Sequence, residues 1–305
     1  MSTSSSRNII LTGGARGIGR AIARHLYLAG HKLFLIDVDE EELNYTVTKH
    51  LPAALAQAQP QSNSSEDRVS SCTADLRKPS AIQEAIESAA KFFGNRIDVL
   101  INNAGIAKAH WGNGEPGDKT MEDDVIEEWQ AYVETNLTAP FILSKACLPY
   151  MKCKSTDTPR NPGSAVLSEE VSSRERPEPG PCIINISSFR ARQSQANCEG
   201  YGSTKAGLLG LTHAMAVSGA QWGIRSNAIL PGYIEVKHEC KEADEQGKKW
   251  AENVGEERHR AHLVGRVGYG EDIAKAVEYL MDAGFVTGEQ ITVDGGVNKI
   301  KFESA

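Results

Sequence analysis

The 305-residue chain carries 33 lysine and arginine residues against 40 aspartate and glutamate residues, which gives a formal net charge of −7. We expect neither nucleic acid nor an anionic membrane as a partner, because both require grouped basic residues and the chain has no such cluster. Residues 1–7 read as a disordered, serine-rich leader without an apolar core, and no apolar run approaches the roughly 18 residues of a membrane span, so the sequence predicts a cytoplasmic protein with a small-molecule substrate.

The length is sufficient for one α/β domain with insertions, which we place at residues 8–298 with a tail at residues 299–305. The six cysteines include no Cys-x-x-Cys pair and are not accompanied by a histidine cluster. The sequence therefore predicts free thiols and no metal site.

A strand, a glycine-rich turn and a helix follow one another at the beginning of the chain. The apolar run Asn8–Thr12 precedes the turn Gly13-Gly-Ala-Arg16-Gly17-Ile18-Gly19, and an apolar pattern of helical period then continues to Gly30. Glycines allow a pyrophosphate to approach the backbone, and the N-terminus of a helix attracts its charge. This arrangement predicts a dinucleotide-binding turn.

A second apolar strand, residues 32–36, ends on Asp37. A carboxylate at this position can accept both hydroxyls of an adenosine ribose and repels a 2′-phosphate, so Asp37 favours NAD. Two alternatives stay open. Asp37 could instead cap the helix that follows, and Arg16 could bind the 2′-phosphate of NADP.

The next two predicted strands, residues 69–75 and 97–101, also end in candidate cofactor contacts, with a helix at residues 79–93 between them. Asp75 lies where its side chain could contact the amino group of the adenine. The second strand runs into Asn102-Asn103-Ala104-Gly105, whose small residues would let the nicotinamide-side ribose lie against the backbone. The same residues also suit a simple tight turn.

Asn136 occupies the apolar face of a long helical stretch, residues 122–151, in which Pro140 predicts a kink or a restart. A buried asparagine without partners is costly. It therefore either makes a structural hydrogen bond or holds a water and a lysine ammonium in a proton relay.

Residues 153–180 break the pattern with several prolines and mixed charge, which predicts a mobile surface insertion. It joins a helix to the next strand, so we expect it at the end of the sheet opposite the ligand crevice. We do not expect it to choose the substrate.

A buried strand that ends at Ser188 is followed by a polar loop and by Tyr201-x-x-x-Lys205 at the start of a helix. Residues four apart on a helix share a face, and a neighbouring ammonium favours the phenolate form of a tyrosine. The pattern predicts that Tyr201 exchanges a proton with the substrate, that Ser188 holds the same oxygen, and that Lys205 tunes Tyr201. Because the chain also contains Tyr201 and Lys205, we favour the proton-relay role for Asn136.

The remaining chain adds two predicted strands, residues 224–230 and 290–293, with a helix at residues 271–283 between them. Pro231-Gly232-Tyr233-Ile234 follows the first of these strands. Residues 233–268 are densely charged, which suits either a solvated face or a lid over bound cofactor and substrate. The alternation of strands and helices is typical of a parallel, doubly wound sheet.

With the glycine turn, Asn102 to Gly105, Asn136, Ser188, Tyr201-x-x-x-Lys205 and Pro231-Gly232 in order, the chain resembles the short-chain dehydrogenases/reductases over about residues 8–296. The resemblance implies a single-domain, Rossmann-type α/β fold with a seven-stranded sheet, a nicotinamide cofactor, a homotetramer or homodimer, and a catalytic tetrad of Asn136, Ser188, Tyr201 and Lys205. It implies cofactor contacts at Gly13, Arg16, Gly17, Ile18, Gly19, Asp37, Asp75, Leu76, Asn103, Ala104, Gly105, Tyr201, Lys205, Pro231, Gly232 and Ile234. Many members have a threonine that touches the nicotinamide amide where this chain has Val236.

We therefore expect an NAD(H)-dependent enzyme that interconverts a secondary alcohol and a ketone. The loop between Ser188 and Tyr201 is rich in polar residues, which favours a polyol, sugar or hydroxy acid as substrate. One alternative is an NADP(H)-dependent 3-oxoacyl reductase. Another is a non-catalytic nucleotide-binding scaffold or redox sensor, although an intact tetrad argues against it.

Overall fold

The computed structural model of the protein describes residues 6–58, 68–107, 126–152 and 179–299. The predicted insertion lies outside these ranges except for Pro179 and Gly180. The predicted leader and tail likewise lie outside them apart from residues 6, 7 and 299.

Seven strands form an all-parallel sheet in the order β3-β2-β1-β4-β5-β6-β7. Their bounds are β1 Asn8–Thr12, β2 Lys32–Asp37, β3 Val69–Thr73, β4 Val99–Asn102, β5 Cys182–Ile186, β6 Arg225–Pro231 and β7 Gln290–Val293. The strand order reverses direction between β1 and β4, and a crevice for ligands opens at the carboxyl ends of strands at such a switch point. The predicted doubly wound α/β fold is confirmed.

The strands are joined mainly by helices. These are α1 Gly17–Leu28, α2 Glu40–Tyr45, α3 Leu51–Ala58, α4 Pro79–Phe92, α5 Ile126–Val133, α6 Ala139–Met151, α7 Glu199–Gly219, α8 Lys241–Gln246, α9 Glu256–Arg260 and α10 Gly270–Asp282. Within the described ranges, no helix combines the length and the apolar character needed to cross a membrane.

Alternate residues of β1 show how the core is divided. Ile9 and Leu11 pack with α1 and α10 on one face of the sheet, whereas Ile10 packs with α4 and α6 on the other. All three side chains are fully buried. The sheet is therefore covered on both faces, as the near-continuous apolar strands require.

The predicted long helix around Asn136 is not α-helical throughout. A π-helical turn, Glu134–Thr138, joins α5 to α6, and Pro140 lies in the first turn of α6. The backbone dihedrals of Val133, Thr138 and Ala139 are all helical, and the N–H of Ala139 donates to the carbonyl of Glu134. The helical path therefore continues through the π-helical turn, which contains Asn136, and the predicted restart at Pro140 is wrong.

The packed domain begins earlier than predicted. Arg7, which the sequence placed in a disordered leader, is buried and donates a 2.7 Å hydrogen bond to the carbonyl of Met281. Its guanidinium also lies 3.0 Å from a carboxylate oxygen of Asp282. The long-range contact to α10 could not be read from the composition of the leader.

Residues 233–268 form a loop that is closed at its neck. The N–H of Glu235 donates to the carbonyl of Gly268, and the N–H of Gly268 donates to the carbonyl of Tyr233, both at 2.9 Å. The alternative of a purely solvated charged face is wrong, because Glu235 and Glu239 are 4% and 1% exposed.

The end of α6 at Met151 and the beginning of β5 at Cys182 place both flanks of the insertion at the amino ends of the strands. This is the end opposite the crevice. The insertion itself, residues 153–178, lies outside the described residues.

The glycine turn is shaped by close packing within the protein. Gly13 has a φ of +65°, and a Cβ at Gly19 would lie 1.8 Å from the carbonyl oxygen of Gly13. No rotamer change can relieve such a contact, because the atom it meets belongs to the backbone. Gly19 is therefore required for α1 to begin directly above the end of β1.

We predict that Gly19→Ala lowers the free energy of unfolding by about 1–3 kcal/mol or more, because the added methyl group must displace backbone. Chemical denaturation of both proteins measures the difference. Gly210→Ala is the matched control, since Gly210 is also a helical glycine but is exposed with no atom near its Cβ position. That change should raise stability by about 0.5–1 kcal/mol. Equal stability of Gly19→Ala and the wild type would contradict this account of the turn.

Candidate active site and dinucleotide crevice

Ser188, Tyr201 and Lys205 converge beyond the carboxyl end of β5. Ser188 is the second residue after the strand, is 5% exposed, and its hydroxyl accepts a 3.1 Å hydrogen bond from the N–H of Arg190. The neighbouring Ser187 hydroxyl donates to the carbonyl of Lys205 at 2.8 Å, which fixes α7 against the end of the strand. The grouping predicted from the sequence is therefore present.

Tyr201 is half-buried, and its ring lies edge to face with that of Tyr132 at a centroid distance of 6.4 Å. Burial raises the pKa of the Tyr201 phenol, while a hydrogen bond with Ser188 and the charge of Arg190 act in the opposite direction. The loss of hydration outweighs these favourable interactions, and the tuning of Tyr201 by Lys205 stays a prediction.

Lys205 is 5% exposed, and its ammonium lies 5.8 Å from the centroid of the Tyr201 ring. It donates a 2.8 Å hydrogen bond to the carbonyl of Ile186. Burial lowers the pKa of Lys205 to about 8. The lysine is thus held beside the phenol by the end of β5, with its charged form disfavoured by its surroundings.

Asn136 uses its side-chain amide for structure. Its Oδ1 accepts from the N–H of Ile106 at 2.8 Å, and its Nδ2 donates to the carbonyl of the same residue at 2.9 Å. A weaker 3.4 Å contact reaches the hydroxyl of Thr204. The side chain therefore holds the segment after β4 in place, and the role of Asn136 in a proton relay stays a prediction.

Gly105 lies between Asn136 and Lys205. A Cβ at this glycine would be 3.1 Å from Asn136 Oδ1 and 3.3 Å from Lys205 Nζ. The missing side chain leaves room at the point where the tetrad meets the segment after β4. The sequence predicted that a small residue here would admit a ribose.

The two turns after β1 and β4 are tied together by side-chain hydrogen bonds. The Thr12 hydroxyl accepts from the N–H groups of Asn103 and Ala104, both at 3.1 Å. The Asn103 amide donates to the carbonyls of Thr12 and Gly13, both at 3.0 Å. The Asn103 side chain therefore shapes the glycine turn through two hydrogen bonds to backbone carbonyls rather than pointing freely into the crevice.

Asp37 ends β2 with its carboxylate directed back at the glycine turn. Its Oδ2 accepts from the N–H of Ala15 at 3.0 Å, and its Oδ1 accepts from the N–H of Val38 at 2.8 Å. Burial raises the pKa of Asp37, and these backbone bonds act in the opposite direction. The capping alternative is wrong, because the N-cap of α2 is Asp39, which accepts from the N–H of Glu42.

Arg16, the residue that suggested NADP, is exposed and forms an ion pair with Asp39. Asp75 is likewise engaged, since the Arg77 guanidinium lies 2.8 Å from its carboxylate and lowers its pKa. Leu76 is buried beside it. The predicted adenosine contacts thus follow neighbouring strands β2 and β3, but each charged group already has a partner within the protein.

The segment after β6 packs closely on its neighbours. A Cβ at Gly232 would lie 2.6 Å from the Cα of Asp294, and Ile234 forms an isolated bridge with Gly268. The side chain of Val236 lies 3.6 Å from the Cβ positions of Gly17 and Gly270. Val236 therefore fills the space between the beginnings of α1 and α10, and it has no polar atom to offer a nicotinamide amide.

The residues at the beginning of α1 fit a dinucleotide phosphate. Gly17 has a φ of +60° and open space at its Cβ position except for Val236. Its N–H donates to the carbonyl of Glu239 at 2.8 Å, so this donor is already used. Ile18 and Gly19 follow in the first turn, where N–H groups have no partner within the helix and attract anions.

Several residues that hold the site together were not singled out from the sequence. They include Thr12, Ile106, Tyr132 and Asn185. Asn185 offered a signal, because a polar residue in the middle of an apolar strand needs a partner. It accepts from the Asn102 amide at 2.8 Å and donates to the Thr212 hydroxyl at 2.9 Å, which links β4, β5 and α7.

Among solved structures, a putative gluconate dehydrogenase from Agrobacterium tumefaciens matches this fold with a TM-score of 0.71 and 25% identity, covering 97% of each chain. A blue fluorescent protein from a metagenomic library, solved in complex with NADPH, matches with a TM-score of 0.69 and 27% identity, covering 95% of this chain and 96% of its own.

Sequence relatives agree with this comparison. An uncharacterized oxidoreductase of Thermotoga maritima is 31% identical over 291 residues, which are 94% of each chain. An acetoacetyl-CoA reductase of Shinella zoogloeoides is 31% identical over 95% of this chain and 98% of its own. A family model described as short chain dehydrogenase matches residues 7–248. The chain belongs to the short-chain dehydrogenase family and is an oxidoreductase that acts on CH–OH or carbonyl groups with NAD(P).

Proposed function

We propose that the protein interconverts a secondary alcohol and a ketone on a polar small molecule, with NAD(H) as its cofactor. The observation that carries this proposal is the convergence of Ser188, Tyr201 and Lys205 at the carboxyl end of β5, beside the glycine turn. A scaffold has no use for a buried ammonium next to a half-buried phenol, because the ammonium is costly to bury. As in its family, we expect a cytoplasmic homo-oligomer.

Each side chain of the tetrad has a role that its position supports. Tyr201 gives a proton to the carbonyl oxygen during reduction and takes it back during oxidation, and the Ser188 hydroxyl holds the same oxygen. A bound nicotinamide supplies or accepts the hydride. The raised pKa of Tyr201 suits a phenol that is protonated and ready to donate in the reducing direction.

Lys205 and Asn136 assist Tyr201 without contacting the substrate. With a pKa of about 8, Lys205 can hold or release a proton near neutral pH, which a surface lysine cannot do. Asn136 fixes the backbone of Ile106 next to Gly105, and so shapes the space in which Lys205 lies. The role of Asn136 in a proton relay is part of this proposal.

The preference for NAD(H) rests on the partners of two residues. Asp37 is held at the end of β2 by two backbone N–H groups, and it places negative charge where a 2′-phosphate would approach. The guanidinium of Arg16, which would otherwise attract that phosphate, is neutralised by Asp39. NADP(H) is the second candidate, because a structural relative was solved with NADPH.

The polar substrate is supported by the loop between Ser188 and Tyr201. Residues 192–197 are all exposed, and Arg190 is close enough to Tyr201 for its charge to influence the phenol. A structural relative described as a putative gluconate dehydrogenase agrees with a polar substrate. A 3-oxoacyl thioester is the second candidate, because an acetoacetyl-CoA reductase is among the sequence relatives.

We predict that Tyr201→Phe lowers turnover by roughly 100-fold or more while the affinity for NADH stays within about twofold, since only the proton-transferring hydroxyl is removed. Turnover is measured on whichever substrate is most active in a panel of polyols, sugars, hydroxy acids and 3-oxoacyl thioesters. Activity confined to the thioesters would reject the polar substrate.

Tyr150→Phe is the matched control for this experiment. Tyr150 begins another Tyr-x-x-x-Lys sequence, but it lies at the end of α6. This is the end of the sheet opposite the crevice. Its turnover should equal that of the wild type. A fully active Tyr201→Phe protein would reject the proposed chemistry.

For the cofactor, we predict that fluorescence titration shows tighter binding of NADH than of NADPH. Asp37→Ala should weaken NADH binding by about tenfold or more, because a charge-assisted hydrogen bond is worth about 1.5–3 kcal/mol. NADPH binding should be unchanged or improved by the same substitution. Tighter binding of NADPH by the wild-type protein would overturn the preference.

Lys205→Met should stabilise the protein without cofactor at pH 7. The folded pKa of about 8 lies below the ordinary 10.5, so the ammonium form is disfavoured by folding. At about 1.4 kcal/mol per pKa unit, the cost of the buried charge is about 3 kcal/mol at pH 7. The variant avoids this cost but should have almost no activity.

The stability difference between Lys205→Met and the wild type should become smaller as the pH increases. Between pH 8 and 10.5 the folded lysine has lost its proton while the unfolded lysine still binds one, so the stability of the wild type rises relative to the variant. Denaturation at pH 7, 8.5 and 10 measures the gap, which should shrink as the pH increases. A gap that is constant with pH would show that Lys205 is not buried as an ammonium.

A further inference from the structure

Helix α1 carries two arginines on the side that faces the segment after β6. Arg20 has a side chain that is only 1% exposed, and Arg24 follows one turn later with 20% exposure. Full burial of an arginine requires charged or polar partners, because an isolated buried charge is very costly. The partners of Arg20 and Arg24 therefore indicate which segment this face of α1 holds in place.

Those partners come from residues 238–244, which are distant in sequence. Arg20 Nε lies 2.9 Å from Glu239 Oε2, and its two terminal nitrogens reach Asp244 at 2.9 and 3.0 Å. Arg24 donates to the same Glu239 at 2.6 and 2.8 Å. We call Arg20, Arg24, Glu239 and Asp244 the α1 clasp.

Glu239 is the centre of the α1 clasp. Its side chain is 1% exposed, and both of its oxygens are shared between the two arginines. Hydrogen bonding with the arginines lowers its pKa despite burial. Each member of the pair thus satisfies the other, and the geometry of the backbone around Glu239 is fixed by side chains of α1.

This backbone reaches the phosphate end of the crevice. The carbonyl of Glu239 accepts the N–H of Gly17, and Val236 packs between Gly17 and Gly270. A short stretch of the charged loop therefore lies across the first turn of α1. The remainder of the loop is different, since most residues from 247 to 260 are exposed.

We propose that Arg20 and Glu239 are positioning residues for the dinucleotide, an inference that rests on the proposed use of NAD(H). By holding residues 236–239 against Gly17, the α1 clasp forms one wall of the phosphate-binding turn before the cofactor arrives. It orients the free N–H groups of the first turn toward a pyrophosphate and divides the charged loop. Residues 236–239 are the fixed wall, whereas most residues from 247 to 260 are exposed and do not contact α1 in this way.

A buried ion pair suits this purpose better than apolar packing. Replacing such a pair by apolar residues often leaves stability unchanged, whereas its directional bonds allow a single arrangement of the partners. None of the side-chain partners found for Arg20 and Glu239 belongs to the tetrad, whose members lie beyond β5 (Ser188), on α7 (Tyr201 and Lys205) and in the π-helical turn before α6 (Asn136). The clasp should therefore affect the binding of the cofactor much more than the chemical step.

The test compares Glu239→Gln with the wild type. This change keeps the shape of the side chain but removes its charge, so the backbone at Gly17 loses its fixed support. We expect the Kd for NADH, measured by fluorescence titration without substrate, to rise about tenfold or more. The kcat at saturating NADH should stay within about twofold of the wild type. The Kd for ADP-ribose, which carries the pyrophosphate but no nicotinamide, should rise by the same factor as that for NADH.

Glu242→Gln is the matched control. Glu242 lies in the same segment, is exposed, and pairs with Lys248 rather than with α1. Its Kd for NADH should not change. Arg20→Lys keeps the charge at the other end of the pair and should recover part of the affinity that Arg20→Met loses.

If Glu239→Gln does not fold, Arg24→Gln serves as the second variant, because Arg24 is partly exposed and donates two of the three arginine hydrogen bonds to Glu239. A folded variant of either kind that binds NADH and ADP-ribose like the wild type would overturn the inference. A wild-type protein that binds neither NADH nor NADPH would instead reject the proposed function, and the two failures are thus distinguishable.

Discussion

The contact between the turn after β1 and the turn after β4 is the constraint on which the functional end of the sheet depends. Thr12 accepts from two N–H groups of the other turn, and Asn103 donates back to two carbonyls of the first. These bonds use side chains to satisfy backbone groups that the sheet leaves unpaired where parallel strands end. Gly13 and Gly19 are then required because the two turns and the start of α1 approach more closely than a Cβ permits. The glycine pattern is usually explained by the ligand, but here the protein's own packing already demands it.

The positions of the catalytic side chains lower the stability of the folded protein. Lys205 is buried without a carboxylate to balance it among the described residues, and its ammonium is bonded to a backbone carbonyl and lies near the Tyr201 ring. Burial moves the pKa of Tyr201 up and lowers that of Lys205 to about 8, so the phenol stays protonated while the lysine can lose its proton near neutral pH. In the proposed reduction the phenol must be protonated before it donates, so the burial that lowers stability also serves proton transfer. This is the expected compromise between stability and activity at a catalytic site.

The charged loop between β6 and α10 shows that one run of charged residues can include both exposed and buried side chains. Its neck is closed by backbone bonds between Glu235 and Gly268. Glu239 is buried against α1, whereas the residues that follow Gly247 are mostly exposed. Because ion pairs are directional, the buried part is held at a defined position relative to the glycine turn. Cofactor binding and loop position are therefore coupled through α1 in the proposed mechanism.

The sequence by itself determined the order of strands and helices, because apolar runs and glycine breaks are local signals. The first strand, Asn8–Thr12, was predicted to the residue, and the grouping of Ser188 with Tyr201 followed from one strand and one helix adjacent in the chain. Only the tertiary structure decided which partners the polar residues choose. Asn136 bonds the backbone of Ile106 across 30 residues, and Arg20 meets Glu239 across 219. The direction of the Tyr201 pKa was likewise decided by packing, since the cost of desolvation depends on what surrounds a group in space and not on its neighbours in sequence.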